Sequence, residues 1–226
     1  MKVPLPQAQN ARVLADWVTT SLREAILNGY FAPGEKLDQD QIAEELKISR
    51  TPVREAISRL ESEGFIEVRP HRGAFMAMVS QQDIREVYEI RRLIEAEAVR
   101  QATPLIPESV LDELDRSLTE TQVQFDSGDT TKHFASDIYY HKTILDFTPN
   151  RLLKEVLDGL TNRISMVRSF AQSRPGPHLV ESLQEHRAIL QAMRQRDPEQ
   201  AAGLMRLHLE KSALRVQELA QEPMGV

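Results

Sequence analysis

Apolar residues recur at helical spacing along most of the chain, and the only convincing strand pattern lies in residues 65–79. There, two short segments, 65–69 and 74–79, flank the turn-forming residues 70–73, which predicts a single β-hairpin. One hairpin is too little to build a sheet that could carry a domain. The fold is therefore expected to be mainly α-helical.

Three helices are predicted before the hairpin. Their apolar positions and stop signals predict that the first helix ends at Gly29, that the second spans 39–46 and that the third spans 51–63. Ser49 is the expected N-cap of the third helix. Three helices followed by a hairpin have the order of a winged helix-turn-helix, so we expect residues 1–79 to form a DNA-binding domain.

Six more helices are predicted after the hairpin, because the helical period continues and prolines and glycines divide it. They cover about residues 80–102, 107–127, 130–147, 150–172, 179–196 and 198–220. Ser80 and Asp83 resemble a capping box at the start of the first of them. Helices of this length with short connections predict an antiparallel helical bundle for residues 80–226.

Composition excludes several kinds of site. Cysteine is absent, which excludes disulfides, iron–sulfur clusters, thiolate zinc sites and cysteine nucleophiles, so any metal would be bound by His, Asp or Glu. No apolar run is long enough for a membrane, and the N-terminus lacks the apolar core of a secretory signal, so we expect a cytoplasmic protein. The net charge of −6 excludes a polycation but allows a local basic surface for nucleic acid.

Residues 41–57 carry apolar positions that lock two short helices together and leave the start of the second helix exposed. Arginine at that start can pair bidentately with guanine in the major groove, while hydroxyl groups and helix N-terminal amides suit phosphates. The tip of the hairpin, or wing, could reach the neighbouring minor groove or backbone. Contacts to double-stranded DNA are therefore predicted for Ser49, Arg50, Thr51, Arg54, His71, Arg72 and Gly73. The alternative interpretation is a small helical domain with solvated surface charges.

Polar residues within the apolar stripes of the bundle predict a metal centre. Asp137 and His141 are four residues apart on one helix face, and His186 and His208 interrupt the stripes of two later helices. Burying these four groups would be costly without a shared partner, and a divalent metal satisfies all of them. The alternative is a hydrogen-bonded core. Two further histidines fall outside the stripes and are expected at the surface, His133 and His178.

Arg91 is expected to face inward from the first helix of the bundle. A buried arginine is costly unless it meets a carboxylate. Either Glu95, one turn away, or an acidic ligand could supply that group, and the sequence leaves both open. The effector hypothesis is a small carboxylate that bridges the metal and Arg91.

Residues 10–79 resemble the N-terminal domain of the GntR family of bacterial transcription regulators. The resemblance is nearly continuous, and the residues that carry it are 22–29, 33–37, 49–56, 60–66 and 72–75. It implies that Arg50, Thr51, Arg54 and Gly73 contact the operator, because those positions do so in the family.

Two residues depart from the family pattern. Lys47 stands in the turn between the two DNA-binding helices, where the family usually has glycine. A lysine there either accepts a left-handed backbone, at a cost of about 1 kcal/mol, or adjusts the turn. Asp40 stands where some members carry a base-reading arginine, so the operator of a relative cannot be transferred to this chain.

Residues 80–220 resemble FCD, a helical ligand-binding domain that accompanies this type of DNA-binding domain. The resemblance is carried by the spacing of Asp137 and His141 and by the pairs Glu185-His186 and His208-Leu209. It implies that a divalent metal is bound by Asp137, His141, His186 and His208. Three histidines and one aspartate favour zinc or nickel, with manganese as a further possibility.

The two resemblances predict a ligand-responsive transcription regulator that represses by default. A homodimer is expected because one winged helix contacts only one half-site of a two-fold operator. Two alternatives are a metal-dependent hydrolase or lyase in the helical domain, and a DNA binder without an effector. The sequence has no HExxH motif, glycine-rich phosphate loop or Gly-x-Ser-x-Gly elbow, so we do not expect an enzyme.

Overall fold

The structure, a computed structural model, divides into two compact units, Met1–Val79 and Ser80–Val226. The described residues are 9–27, 30–130, 133–172 and 177–221. The helix stop predicted at Gly29 lies outside them. Within these ranges, no helix combines the length and the apolar character that crossing a bilayer requires.

The first unit is a winged helix-turn-helix. Its elements are α1 (Gln9–Leu27), β1 (Lys36–Leu37), α2 (Gln39–Glu45), α3 (Arg50–Ser62), β2 (Ile66–Arg69) and β3 (Gly73–Met76). The strands form an antiparallel sheet in the order β1-β3-β2, and Arg69 pairs with Gly73 where the wing turns. The sequence did not predict β1, because a strand of two residues is too short to show alternation.

The packing of α1 against α3 determines which face of α3 is exposed. Val53 and Leu60 of α3 are fully buried, as is Val18 of α1. Arg23 of α1 adds a bidentate ion pair with Glu63, with N–O distances of 2.9 and 2.7 Å. The opposite face of α3, including its first turn, is consequently free to meet another molecule.

The turn between α2 and α3 shows which of the two expected conformations occurs at Lys47, a left-handed backbone or an adjusted turn. Its φ is 54°, so the residue adopts the left-handed conformation. The amide of Ile48 donates to the carbonyl of Ala43 over 2.9 Å and that of Lys47 to Glu44 over 3.0 Å, the two bonds of a Schellman motif. Lysine therefore accepts the backbone that favours glycine, at a cost of about 1 kcal/mol.

The second unit is a bundle of helices, which together with the winged unit confirms the predicted mainly α-helical fold. Its helices are α4 (Gln81–Ala102), α5 (Glu108–Asp126), α6 (His133–Asp146), α7 (Arg151–Gln172), α8 (Pro177–Arg194) and α9 (Pro198–Leu219). The capping box of Ser80 and Asp83 is present at the start of α4. Helix α4 packs against α6, α7 and α9, so side chains from all four meet in the interior.

Candidate metal centre and DNA interface

Four predicted ligands meet in the interior of the bundle. Asp137 and His141 come from α6, His186 from α8 and His208 from α9, and one ligand atom from each lies within 4.8 Å of all the others. The Nε2 atom of His186 is 3.2 Å from Nε2 of His141 and 3.2 Å from Nε2 of His208. Oδ1 of Asp137 is 3.7 Å from Nε2 of both His141 and His186. The four side chains thus enclose one point.

Carboxylates behind two of the rings determine which ring nitrogens face that point. Nδ1 of His141 is 2.5 Å from Oε2 of Glu95, and Nδ1 of His208 is 2.8 Å from Oε2 of Glu185. Glu185 accepts a hydrogen bond from Nδ1 of His208, so that Nδ1 carries the proton and Nε2 presents its lone pair. The close contact of Nδ1 of His141 with the carboxylate of Glu95 favours the same tautomer in His141. Carboxylates commonly orient metal-binding histidines in this way.

Burial keeps two of these histidines neutral. It lowers the pKa of His141 to about 4, although Glu95 acts in the opposite direction. Burial, and then the neighbouring rings of His208 and His141, hold the pKa of His186 well below its usual value. Lone pairs and the Asp137 carboxylate therefore converge without enough protons to satisfy them, an arrangement that a cation stabilises.

The spacing of the ligand atoms fits a metal ion. Bonds of about 2.0–2.1 Å to a tetrahedral zinc separate neighbouring ligands by about 3.3 Å. The observed distances between Nε2 atoms, 3.2 Å, are close to that value. A purely hydrogen-bonded core would need a proton between each close pair, and the Nδ1 contacts already use the protons of His141 and His208.

Arg91 makes the ion pair with Glu95 that the sequence offered as one alternative. Its Nε donates to Oε1 of Glu95 over 2.6 Å, and both side chains are buried. Burial alone would raise the pKa of Glu95, but Arg91 and then His141 outweigh it and hold that pKa well below its usual range. Glu95 therefore stays ionised and connects Arg91 to His141, one of the predicted metal ligands.

Two further arginines belong to the site and were missed from the sequence. Nε of Arg168, on α7, is 3.1 Å from Oδ2 of Asp137, and Arg215, on α9, donates to Glu185. Helical spacing could have indicated that both face the interior, but not which residues they contact. Arg168 lies four residues after the buried Ile164, and Arg215 lies seven after His208.

A cavity of about 60 Å³ opens beside the four ligands. Its lining includes Arg91, Arg168, Arg215, His133, His178 and Tyr88. The surface positions expected for His133 and His178 are therefore wrong. Each histidine lies on a helix face that also carries a predicted ligand. His133 lies four residues before Asp137 on α6, and His178 lies eight residues before His186 on α8.

Replacing Glu185 with glutamine is expected to weaken metal binding about 10- to 100-fold, the usual effect of removing a carboxylate behind a ligating histidine. The affinity is measured by competition with a chelator of known strength. The matched control is Glu181→Gln, because Glu181 also pairs with Arg215 and makes no contact with His208 in the described structure. Equal affinities in wild type and both variants would show that Glu185 does not support the ligand.

The predicted DNA-contacting residues are exposed in two places. The start of α3 and the wing tip present Ser49, Arg50, Thr51, Arg54, His71, Arg72 and Gly73. Ser49 lies at the N-cap of α3 but makes no side-chain capping bond. Gly73 has a φ of 102°, which an L side chain rarely adopts, so glycine lets the wing turn without strain.

The arginines of the first unit differ in how they are paired. Arg50 forms an ion pair with Asp40 of α2, the second residue that departs from the family pattern. Arg54 and Arg72 form no ion pair with any described residue. Their charges are thus available to an anionic partner.

Comparison with known proteins matches both units to families. Residues 14–76 match the model for bacterial regulatory proteins of the gntR family, and residues 86–211 match the FCD domain. The HTH-type transcriptional regulator YdhC of Bacillus subtilis (strain 168) is 29% identical over 203 residues, covering 89% of this chain and 90% of that protein. The HTH-type transcriptional repressor RspR of Escherichia coli (strain K12) is 28% identical over 203 residues, covering 89% and 88%.

Among solved structures, Escherichia coli McbR/YncC is similar with a TM-score of 0.77 and 23% identity, covering 92% of this chain and 99% of that one. At this identity the likeness concerns the fold.

Proposed function

Because this chain belongs to the FCD-containing GntR family of bacterial transcription regulators, we propose that it is a repressor controlled by a small carboxylate. It binds a two-fold operator as a homodimer, and the carboxylate binds beside a divalent metal in the helical unit and weakens operator binding. The observation that carries the proposal is the meeting of three histidines and an aspartate beside a cavity lined by arginines. The similarity to the repressor RspR supports repression as the mode of regulation.

Operator binding is assigned to the exposed first turn of α3. Arg54 is the principal base-reading residue, because its guanidinium is exposed and unpaired among the described residues. Arg50, held by Asp40, and Thr51 complete that turn. His71, Arg72 and Gly73 place the wing on the backbone or the adjacent minor groove.

Asp137, His141, His186 and His208 would hold the metal, and the donor set of three imidazoles and one carboxylate favours zinc or nickel over manganese. When bound, the metal would supply a positive centre, and an anionic ligand could bind it if its coordination expanded beyond these four ligands. The protein contributes the orientation of two rings through Glu95 and Glu185, and burial lowers the pKa of His141 and His186 and so keeps them neutral.

Charge balance indicates that the ligand is an anion. Three arginines and three carboxylates around the centre cancel, namely Arg91, Arg168, Arg215, Glu95, Asp137 and Glu185. A divalent metal would add two positive charges in a buried place, and such a charge is costly without a counter-charge. A cavity of about 60 Å³ corresponds to the volume of about two water molecules in the liquid, so the anion is small.

Control of the operator follows from population shift. A ligand that binds one conformational state more tightly moves the equilibrium toward that state. If that state binds DNA less well, the ligand lowers operator affinity by a factor that the coupling free energy between the two sites sets, typically 5- to 150-fold.

The test is a thermal-shift screen of small carboxylates with the full chain, with and without a chelator, followed by operator titrations. We expect a carboxylate that raises the unfolding midpoint only when metal is present and that lowers operator affinity at least about fivefold. A carboxylate that binds and leaves operator affinity unchanged would indicate a DNA binder without an effector. Chemical conversion of the bound carboxylate would indicate the enzymatic alternative.

A further inference from the structure

We propose that Lys47 binds a phosphate of the DNA backbone, and that its strained turn serves this contact. The inference rests on the proposed operator binding and adds a contact from the turn that precedes α3. The turn is formed by the carboxyl end of α2 and by the two hydrogen bonds that place Lys47 at a φ of 54°. Glycine would adopt this backbone without a steric penalty, so the lysine side chain makes the free protein less stable.

The charge of Lys47 is not compensated by any residue that the structure describes. The side chain is exposed, and no described residue lies within ion-pair distance of it, including the glutamates of the preceding turn, Glu44 and Glu45. It lies at the carboxyl end of α2, where the helix dipole favours a cation, and three residues before Arg50 at the amino end of α3, where the dipole is positive. The cost of lysine at this place in the free protein therefore comes from the left-handed backbone and not from its charge.

Lys47 belongs to a small set of unpaired cations. Residues 47–73 contain six Lys and Arg residues. Three of them are paired within the unit, as Arg50–Asp40, Arg59–Asp16 and Arg69–Glu67. The other three, Lys47, Arg54 and Arg72, are exposed and form no ion pair with described residues, and they lie at the turn, on α3 and at the wing.

The position of the turn assigns a partner to this charge. In a helix-turn-helix the second helix enters the major groove and the first crosses the backbone, so the turn between them lies above the phosphates at the rim of the groove. Lysine carries a compact charge on a flexible stem, which suits a phosphate better than a base edge. The backbone cost of Lys47 in the free protein would then be offset when an anion binds.

The test compares Lys47→Gly with wild type in stability and in DNA binding. The unfolding midpoint is expected to rise by roughly 4 °C, because the strained residue is removed. Affinity for the operator and for a scrambled duplex is expected to fall by the same factor, roughly five- to tenfold at 0.1 M salt. The logarithm of the binding constant falls as the logarithm of the salt concentration rises. The magnitude of this slope should decrease by about 0.9 for each chain bound, the value for one phosphate contact.

Two further variants separate charge from backbone. Lys47→Asn removes the charge but keeps a residue that tolerates the left-handed conformation, so its salt slope should match that of Lys47→Gly. Lys47→Arg keeps the charge and should keep the wild-type slope. A salt slope that is unchanged in Lys47→Gly, in a protein that still binds its operator, would overturn the phosphate contact. Failure of the wild-type protein to select any duplex would instead refute the proposed operator binding.

Discussion

Arg54→Ala is expected to weaken operator binding about tenfold or more and to leave the unfolding midpoint nearly unchanged. The guanidinium is exposed at the start of α3 and forms no ion pair with described residues, so its removal costs the free protein little. A bidentate arginine–guanine pair contributes about 1–3 kcal/mol of discrimination, which corresponds to this loss. The measurement is fluorescence anisotropy with a duplex that the wild-type protein has selected from a random pool.

Arg59→Ala is the matched control on the same helix. Arg59 forms an exposed ion pair with Asp16 of α1, so its side chain is engaged within the unit, and its removal should change DNA binding and stability only slightly. A scrambled duplex provides the second comparison. If Arg54→Ala lost as much affinity for the scrambled duplex as for the operator, Arg54 would contact the backbone and would not read bases.

His186→Ala is expected to abolish the retention of metal, the largest effect predicted for the helical unit. Nε2 of His186 lies between the other two imidazoles, 3.2 Å from each, and the residue is 1% exposed. Its removal deletes one of the four side chains that are grouped around the centre. Elemental analysis after gel filtration should find about one metal per chain in wild type and almost none in the variant.

The control for this variant is His71→Ala, because His71 is an exposed histidine of the other unit and should leave metal content unchanged. Asp137→Asn tests the same centre with a change of almost no volume, and circular dichroism verifies that each variant is folded. A chelator should lower the unfolding midpoint of wild type but not that of His186→Ala. Full metal content in a folded His186→Ala would eliminate His186 as a ligand.

Helix positions could be predicted because their signals are local. The start of α4 is determined by the side chains of Ser80 and Asp83, and the start of α9 by Asp197, whose carboxylate accepts from the amide of Gln200 over 2.9 Å. These groups lie within a few residues of the helix ends they stabilise. Strand β1 has no such signal, because its pairing with β3 joins residues far apart in sequence.

The inward position of the candidate metal-binding histidines could be predicted because each interrupts an apolar stripe. The residues that contact the candidate ligands could not be predicted. Glu185 is next to His186 in sequence but accepts from His208 on another helix. Arg168 reaches Asp137 only because α7 and α6 pack together. Pairs of this kind depend on how helices are arranged, and spacing within one helix carries no information about that.

The backbone conformation of Lys47 could not be predicted from the sequence for a different reason. Its two alternatives, a left-handed lysine or an adjusted turn, were close in energy and could not be distinguished from residue types. The hydrogen bonds to Ala43 and Glu44 distinguish them, since both require the left-handed conformation at this position.

Coupling between the metal centre and the operator is tested most directly by one titration. Operator affinity is measured for wild type and for His186→Ala, with and without the carboxylate that gives the largest thermal shift. We expect saturating carboxylate to lower the affinity of wild type at least about fivefold and to leave the variant unchanged. An unchanged wild-type affinity at saturation, or an equal response in both proteins, would contradict control of the operator through this centre.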